Sequence, residues 1–163
     1  MKVLRKQKNS RLCIVCGVNN EAGLKAPFYE MEDNTVVSIF EYKEHHQSYP
    51  NRVHGGLICA MLDEVIGRAI WIKDDSLWAV TIELNIKYRK AVPYNEKLKA
   101  IGKITKETSR TFEGYGEIRD MNNNLLVTAN ATYFKLKFNM ITNDSEHKED
   151  EMVLFKDDVK EIN

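Results

Sequence analysis

Apolar side chains occur almost all the way round one segment of the chain, residues 57–72. A helix that is apolar on every side is typical of a protein interior, so the pattern predicts a buried helix. The polar exceptions include Asp63, Glu64 and Arg68. A carboxylate in an apolar wall is costly unless it is paired or functional. We expect Glu64 to form an ion pair with Arg68 four residues later, with a substrate-facing role as the alternative.

Alternation of apolar and polar residues is typical of half-buried strands, and it is found on both sides of this helix. It predicts five strands, at residues 35–42, 78–88, 97–106, 111–119 and 125–137. In the second of these, strict alternation places Val80, Ile82 and Leu84 on one face and Thr81 on the other. One buried helix against a long antiparallel sheet is an α+β arrangement of two layers.

The two ends of the chain differ from this region. Residues 1–27 are rich in turn formers and contain a Cys-x-x-Cys pair, which predicts an irregular start to a domain spanning residues 1–138. Residues 139–163 form a charged tail, in which residues 143–151 have the composition of a linker. The apolar spacing of residues 152–162 is compatible with a short amphipathic helix, and a frayed end is the alternative.

Composition limits the function classes. The chain has 163 residues, 43% of them hydrophobic, which is enough for the core of one domain. Lys plus Arg and Asp plus Glu both total 24, and no basic stripe is present, so we expect no nucleic-acid partner. No apolar run approaches the length of a bilayer span, and the basic N-terminus lacks the apolar stretch of a secretory signal. These features predict a cytoplasmic protein with no membrane partner.

Three cysteines, an odd number, argue against a disulfide framework and for a reducing compartment. Cys13, Cys16 and Gly17 resemble half of a zinc knuckle, but no second half follows in the sequence. A structural zinc site normally needs four ligands. We therefore expect no metal and interpret the pair as part of a packed turn.

The segment His54-Gly55-Gly56 directly precedes the predicted helix, with Asp63 further along. The first N–H groups of a helix have no partner within the helix, and the helix dipole favours negative charge there. An oxyanion hole for acyl transfer could form at this point, with Asp63 as the acid. The alternative is that the two glycines only turn the chain into the helix. Gly67, four residues after Asp63, could allow a ligand to approach the helix backbone or allow the helix to pack tightly on the sheet.

Together these residues resemble the hotdog-fold acyl-CoA thioesterases of the PaaI-like group. The resemblance covers residues 12–138 and rests on Cys13, Cys16, Gly17, Asn20, Gly23, Leu24, Gln47, Tyr49, Pro50, Val53, His54, Gly55, Gly56, Leu62, Asp63, Glu64, Gly67, Thr81, Leu84, Asn85, Tyr88 and Pro93. It implies a long central helix wrapped by a curved antiparallel sheet of five to six strands. It also implies a homodimer or homotetramer with active sites at the subunit interface.

The resemblance also implies roles for single residues. The N–H of Gly55, with Gly56 beside it, would polarise the thioester carbonyl, and Asp63 of the facing subunit would act as nucleophile or as base for water. Thr81 would orient that water. His54 would orient the loop or act as a base.

The substrate implied is an acyl-CoA, with no cofactor. Some relatives have an asparagine where this chain has Ser48, so Gln47 or Asn51 would contact the thioester instead. The CoA phosphates would be bound by cations at strand ends, for which the candidates are Lys87, Arg89, Lys90 and Arg110. A hotdog protein that only binds acyl-CoA is the alternative function.

Overall fold

The computed structural model describes residues 1–137, 140–141, 152–154 and 157–162. One α-helix, α1, spans Gly55–Gly67, and 3₁₀ turns span Glu44–His46 and Arg68–Ile72. The strands are β1 (Val3–Lys6), β2 (Asn9–Ser10), β3 (Tyr29–Met31), β4 (Val36–Glu41), β5 (Gln47–Tyr49), β6 (Arg52–Val53), β7 (Leu77–Tyr88), β8 (Lys97–Glu107), β9 (Thr111–Asp120), β10 (Leu125–Lys137) and β11 (Met152–Val153).

The main sheet has seven strands in the order β1-β3-β4-β8-β9-β10-β7, with all neighbours antiparallel. One long helix against this sheet confirms the predicted α+β hotdog fold, and all five predicted strands are present. The sheet has one or two strands more than expected. The additional strands β1 and β3 have four and three residues, too few for alternation to reveal them. The segment 1–27 is therefore not irregular throughout, because β1 lies at one edge of the sheet.

The helix lies very close to the sheet because glycines face it. A Cβ atom on Gly102 of β8 would lie 2.3 Å from the carbonyl oxygen of Val65, and one on Gly114 of β9 would lie 2.3 Å from Ile66. The side chains of α1 that point towards the sheet are fully buried: Met61, Leu62, Val65 and Ile66. The opposite side of α1 is half-buried or exposed. The predicted burial is thus confirmed only for the side of α1 that faces the sheet. The helix begins two residues earlier than predicted.

A β-bulge in β7 changes which residues face the helix. In the pairing with β10, Thr132 lies opposite Glu83 and Tyr133 lies opposite Thr81, so Ile82 is the extra residue. Strict alternation along the sequence predicts that Thr81 and Leu84 lie on opposite faces of the sheet, and this prediction is wrong. Both face α1, because Thr81 bonds to Asp63 and Leu84 packs against the core. Ile82 is 59% exposed.

The tail returns to the N-terminal segment. Met152 and Val153 pair with β2, and Glu161 forms a bridge with Lys2. The short amphipathic helix expected over residues 152–162 is wrong for the described part of this range, which contains a strand, a bridge and irregular residues but no helix. Residues 142–151, which include the predicted linker, lie outside the described residues.

Among the described residues, no helix has the length and apolar character needed to cross a membrane. The longest, α1, has 13 residues.

Candidate active site

Asp63 is held by two hydroxyl groups from the sheet. Thr81 Oγ1 donates a hydrogen bond of 2.8 Å to Asp63 Oδ1, and Tyr133 Oη lies 3.0 Å from the same oxygen and 2.9 Å from the Asp63 carbonyl oxygen. Burial raises the pKa of Tyr133, as does the nearby Asp63 carboxylate, so the phenol keeps its proton and remains a donor. No side chain or backbone group of the described residues bonds to Asp63 Oδ2. One carboxylate oxygen is therefore fixed, and the other is available to a ligand.

Gly67 packs against Tyr133. A Cβ atom on Gly67 would lie 3.4 Å from Tyr133 Cε1 and 3.6 Å from Ala79 Cβ. The aromatic ring that bonds to Asp63 therefore lies directly against the helix backbone.

The two glycines at the start of α1 have different roles. His54 is the N-cap residue, and its Nδ1 accepts the Gly56 N–H at 3.0 Å. The Gly55 N–H has no partner among the described residues, while the Gly55 carbonyl accepts a hydrogen bond of 2.8 Å from Tyr88 Oη. The free donor at this helix start is therefore Gly55, and the His54 side chain caps the helix.

The loop before the helix is fixed by a buried histidine. The His54 N–H donates to the carbonyl oxygen of His46 at 2.9 Å. His46 Nδ1 accepts the Lys43 N–H, and its Nε2 lies 2.8 Å from the carbonyl oxygen of Ala22. Burial lowers the pKa of His46, so the neutral ring with a proton on Nε2 fits both bonds.

The candidate thioester contacts lie in the hairpin before the helix. Gln47 is exposed and pairs with Val53, which places it beside the helix start. Asn51 has a φ of 64° and lies in the turn of this hairpin, and its N–H donates to Tyr94 Oη at 3.3 Å. The turn conformation explains an asparagine at this position.

The four candidate phosphate-binding cations lie at two different ends of β7. Lys87, Arg89 and Lys90 are at the end where Tyr88 contacts Gly55. Arg110 is at the other end, because its carbonyl accepts the Lys135 N–H, and Lys135 lies opposite Ala79. Eight residues of β10 separate these ends, about 26 Å of strand. Within one chain Arg110 therefore does not join the other three.

A cavity of about 230 Å³ adjoins Asp63. Its lining also includes Thr81, Tyr133, Gly67, Glu64, Arg68, Cys13, Cys16, Trp71 and Trp78. Glu64 Oε1 lies 2.9 Å from Arg68 Nε, which confirms the predicted ion pair. A larger cavity of about 610 Å³ shares Trp71, Trp78 and Met152 with the first and has Arg5, Lys6 and Lys137 in its wall.

Comparison with known proteins finds similar sequences and folds among thioesterases. The Thioesterase superfamily matches residues 51–127. Acyl-coenzyme A thioesterase THEM4 of Mus musculus is 30% identical over 112 residues, which are 68% of this chain and 47% of the mouse protein. The crystal structure of a thioesterase superfamily protein matches with 25% identity and a TM-score of 0.69, covering 76% of this chain and 63% of that one. The chain is therefore similar to thioesterases in both sequence and fold.

A third similar protein has been crystallised with CoA. It is from Bacillus halodurans, with 24% identity, a TM-score of 0.60, and coverage of 68% of this chain and 73% of that one. This likeness shows the shared hotdog fold. The chain spans about half the length of the mouse thioesterase.

The superfamily match contains the helix start, Asp63 and Thr81, but not Tyr133. Sequence reasoning did not single out Tyr133 as a site residue. A signal was present, because inward positions of β10 alternate, and the other inward residues near Tyr133 are small or aliphatic: Val127, Ala129 and Ala131. A tyrosine in such a row needs a partner for its hydroxyl.

Proposed function

We propose that this chain belongs to the thioesterase superfamily and is an acyl-CoA thioesterase of the PaaI-like group, which hydrolyses an acyl-CoA to the free acid and CoA. The observation that carries the proposal is the arrangement of Asp63, with one oxygen fixed by Thr81 and Tyr133 and the other unbonded beside a cavity. A carboxylate with one fixed and one free oxygen is suited to act as a nucleophile or as a base for water.

In this proposal the Gly55 N–H binds the thioester oxygen as negative charge develops on it, and the helix dipole adds to the stabilisation. Asp63 either attacks the carbonyl carbon or takes a proton from the attacking water. The carbon–sulfur bond then breaks, and CoA leaves as the thiolate, which takes up a proton. If Asp63 attacked, water hydrolyses the resulting acyl–aspartyl anhydride to the free acid and restores the carboxylate. If water attacked, the free acid forms directly, and Asp63 returns the proton it took to the thiolate or to solvent. Thr81 and Tyr133 hold the Asp63 carboxylate in the orientation that either route requires.

A complete site requires two chains. Gly55 and Asp63 are eight residues apart on one helix, so about 12 Å separates them along the helix axis. An oxyanion donor and a nucleophile must both lie about 3 Å from the same carbonyl group. We therefore assign the two groups of one site to different subunits of a homodimer, which can assemble further into a tetramer.

The exposed edge of β7 is the pairing surface that we propose for the dimer. β7 is the last strand of the sheet, and Val80 and Ile82 on it are 42% and 59% exposed. Unpaired edges of this kind are sites of strand pairing. If two copies of β7 pair antiparallel about a twofold axis near Leu84 and Asn85, Tyr88 of one copy lies opposite Thr81 of the other. Gly55 contacts Tyr88 and Asp63 contacts Thr81 in each chain, so this register supports a shared site.

The same register supports the proposed CoA contacts. Lys87, Arg89 and Lys90 are near Gly55, and antiparallel pairing would bring Arg110 of the partner subunit to the same end of the interface. The CoA bound by the Bacillus halodurans protein agrees with a ligand of this class. Gln47 and Asn51, in the hairpin beside the helix start, are the proposed contacts of the thioester.

The proposed compartment is the cytoplasm. All three cysteines are free thiols, which agrees with reducing surroundings.

The test is a panel of short, medium, long and aromatic acyl-CoAs, with the released thiol measured. Asp63→Asn should lower kcat by about 10²- to 10⁴-fold, since it removes the base or nucleophile. Asp158→Asn, which changes an exposed aspartate away from the site, is the matched control. Binding of acyl-CoA without turnover by the parent protein would replace this proposal with the binding-only function.

A further inference from the structure

Three ligand-type side chains converge beside the Asp63 cavity. The Sγ atoms of Cys13 and Cys16 and a carboxylate oxygen of Glu64 all lie within 4.8 Å of one another. Glu64 is 48 residues beyond Cys16 in the sequence, so the fold supplies the third group that the Cys-x-x-Cys segment lacks. No other His, Cys or acid of the described residues joins this group.

Backbone N–H groups point at the sulfur atoms of both cysteines. The N–H groups of Val15 and Cys16 lie 3.3 and 3.5 Å from Cys13 Sγ, and the Ser10 N–H lies 3.4 Å from Cys16 Sγ. The turn closes tightly, because a Cβ atom on Gly17 would lie 2.3 Å from the carbonyl oxygen of Cys13. Donors aimed at sulfur favour the deprotonated form, which is the metal ligand.

The spacing fits a tetrahedral zinc ion. With Zn–S near 2.3 Å and Zn–O near 2.1 Å, a tetrahedral angle puts the sulfur and oxygen about 3.6 Å apart. The observed distance from Cys13 Sγ to Glu64 Oε2 is 3.7 Å. Arg68 bonds to the other oxygen, Oε1, at 2.9 Å, so the carboxylate is oriented with Oε2 towards the sulfurs. Ligating carboxylates are commonly held in this way by a second residue.

The charges balance. Two thiolates and one carboxylate around Zn²⁺ leave a single negative charge. Arg68 supplies a positive charge, and its side chain is only 6% exposed. It is fixed by stacking between Phe28 and Trp71 and by a bond of 2.9 Å to the Lys8 carbonyl oxygen. A buried cation at this position fits an anionic metal centre.

We propose that Cys13, Cys16 and Glu64 bind a zinc ion whose fourth position, taken by water, faces the cavity that contains Asp63. Three protein ligands and one open position differ from the closed four-ligand sites of structural zinc. The ion would link Cys13 and Cys16 to α1 at Glu64, the residue next to Asp63. The proposal does not depend on the thioesterase activity, because it concerns metal binding by the folded chain.

The test uses the full chain, reduced, stripped of metal with a chelator and then titrated with Zn²⁺ or Co²⁺ alone. We expect one equivalent of Zn²⁺ per chain. We also expect Co²⁺ to give a sulfur-to-metal charge-transfer band together with the intense visible bands of a tetrahedral site. Cys13→Ser, Cys16→Ser and Glu64→Gln should each weaken Zn²⁺ binding by at least about 100-fold, since loss of even a second-shell partner costs 10- to 100-fold.

Two control variants separate metal binding from loss of packing. Cys59→Ser removes the third thiol, which lies outside the cluster. Glu30→Gln breaks another ion pair, that of the buried Glu30 with the half-exposed Arg5. Both should bind Zn²⁺ like the parent. Two results would overturn the proposal: a Co²⁺ complex of the parent with no sulfur charge-transfer band, or Zn²⁺ affinity unchanged in the Cys13→Ser and Cys16→Ser variants. Either result would leave the thioesterase assignment untouched.

Discussion

Thr81 Oγ1 donates a 2.8 Å hydrogen bond to Asp63 Oδ1, and this contact exists because a bulge at Ile82 turns Thr81 towards the helix. A hydrogen bond to a charged group is worth about 1.5–3 kcal/mol. We expect Thr81→Val, which keeps the shape and removes the donor, to lower kcat by about 10- to 100-fold with little change in KM. Steady-state thiol release measures both constants.

Thr105→Val is the control for that substitution, because Thr105 lies on β8 away from Asp63. A Thr81→Val enzyme with the parental kcat would show that the bond does not orient Asp63 for the reaction.

Mixing two inactive variants tests whether each site is shared between subunits. Gly55→Pro removes the free N–H at the first helical position, where proline is well tolerated, and His54 before it has the extended conformation that proline requires. Alone it should lower kcat by about 10²- to 10³-fold. Co-refolded with Asp63→Asn, it forms heterodimers in which one of the two sites is intact.

Random assortment should restore about a quarter of the parental activity. Each variant refolded alone is the control. No recovery in a mixture with demonstrated heterodimers would mean that Gly55 and Asp63 of the same chain act together.

The burial of His46 predicts a pH dependence of stability. Its pKa in the folded chain is lowered by desolvation, so below about pH 6.5 the unfolded chain binds a proton that the folded chain does not. The unfolded state then holds more protons, and the free energy of unfolding falls as the pH drops from about 7 towards the folded-state pKa. The groups that face His46 are His45 and Lys43, both of which lower its pKa further.

Urea unfolding at several pH values measures this effect. His46→Gln should be less stable at pH 7 and should show a shallower loss of stability on acidification. His45→Gln, at the exposed neighbouring histidine, should keep the parental slope. If the stability of His46→Gln falls with decreasing pH as steeply as that of the parent, the acid sensitivity comes from other groups.

The parts of the fold that sequence predicted are those with long periodic patterns. The buried helix and the five strands follow from alternation and all-round apolarity, and the His54 to Asp63 segment follows from residue chemistry at a helix start. Three features could not be predicted because each depends on residues distant in the chain. The bulge in β7 is defined only by its pairing with β10, Tyr133 approaches Asp63 from 70 residues away, and Glu64 joins Cys13 across the fold.

Two glycines at the contact between helix and sheet, Gly102 and Gly67, predict different effects on stability when replaced by alanine. A Cβ atom on Gly102 would lie 2.3 Å from the Val65 carbonyl oxygen, a backbone atom that cannot move alone. Gly102→Ala should therefore destabilise the protein by about 1–3 kcal/mol or more through overpacking.

At Gly67 the nearest atoms are Tyr133 Cε1 at 3.4 Å and Ala79 Cβ at 3.6 Å, and the backbone is helical. The slight crowding is offset by the better helix propensity of alanine, about 1 kcal/mol. Gly67→Ala should thus stay within about 1 kcal/mol of the parent in urea unfolding, as the matched comparison for Gly102→Ala. Equal destabilisation of the two variants would contradict the packing described for α1.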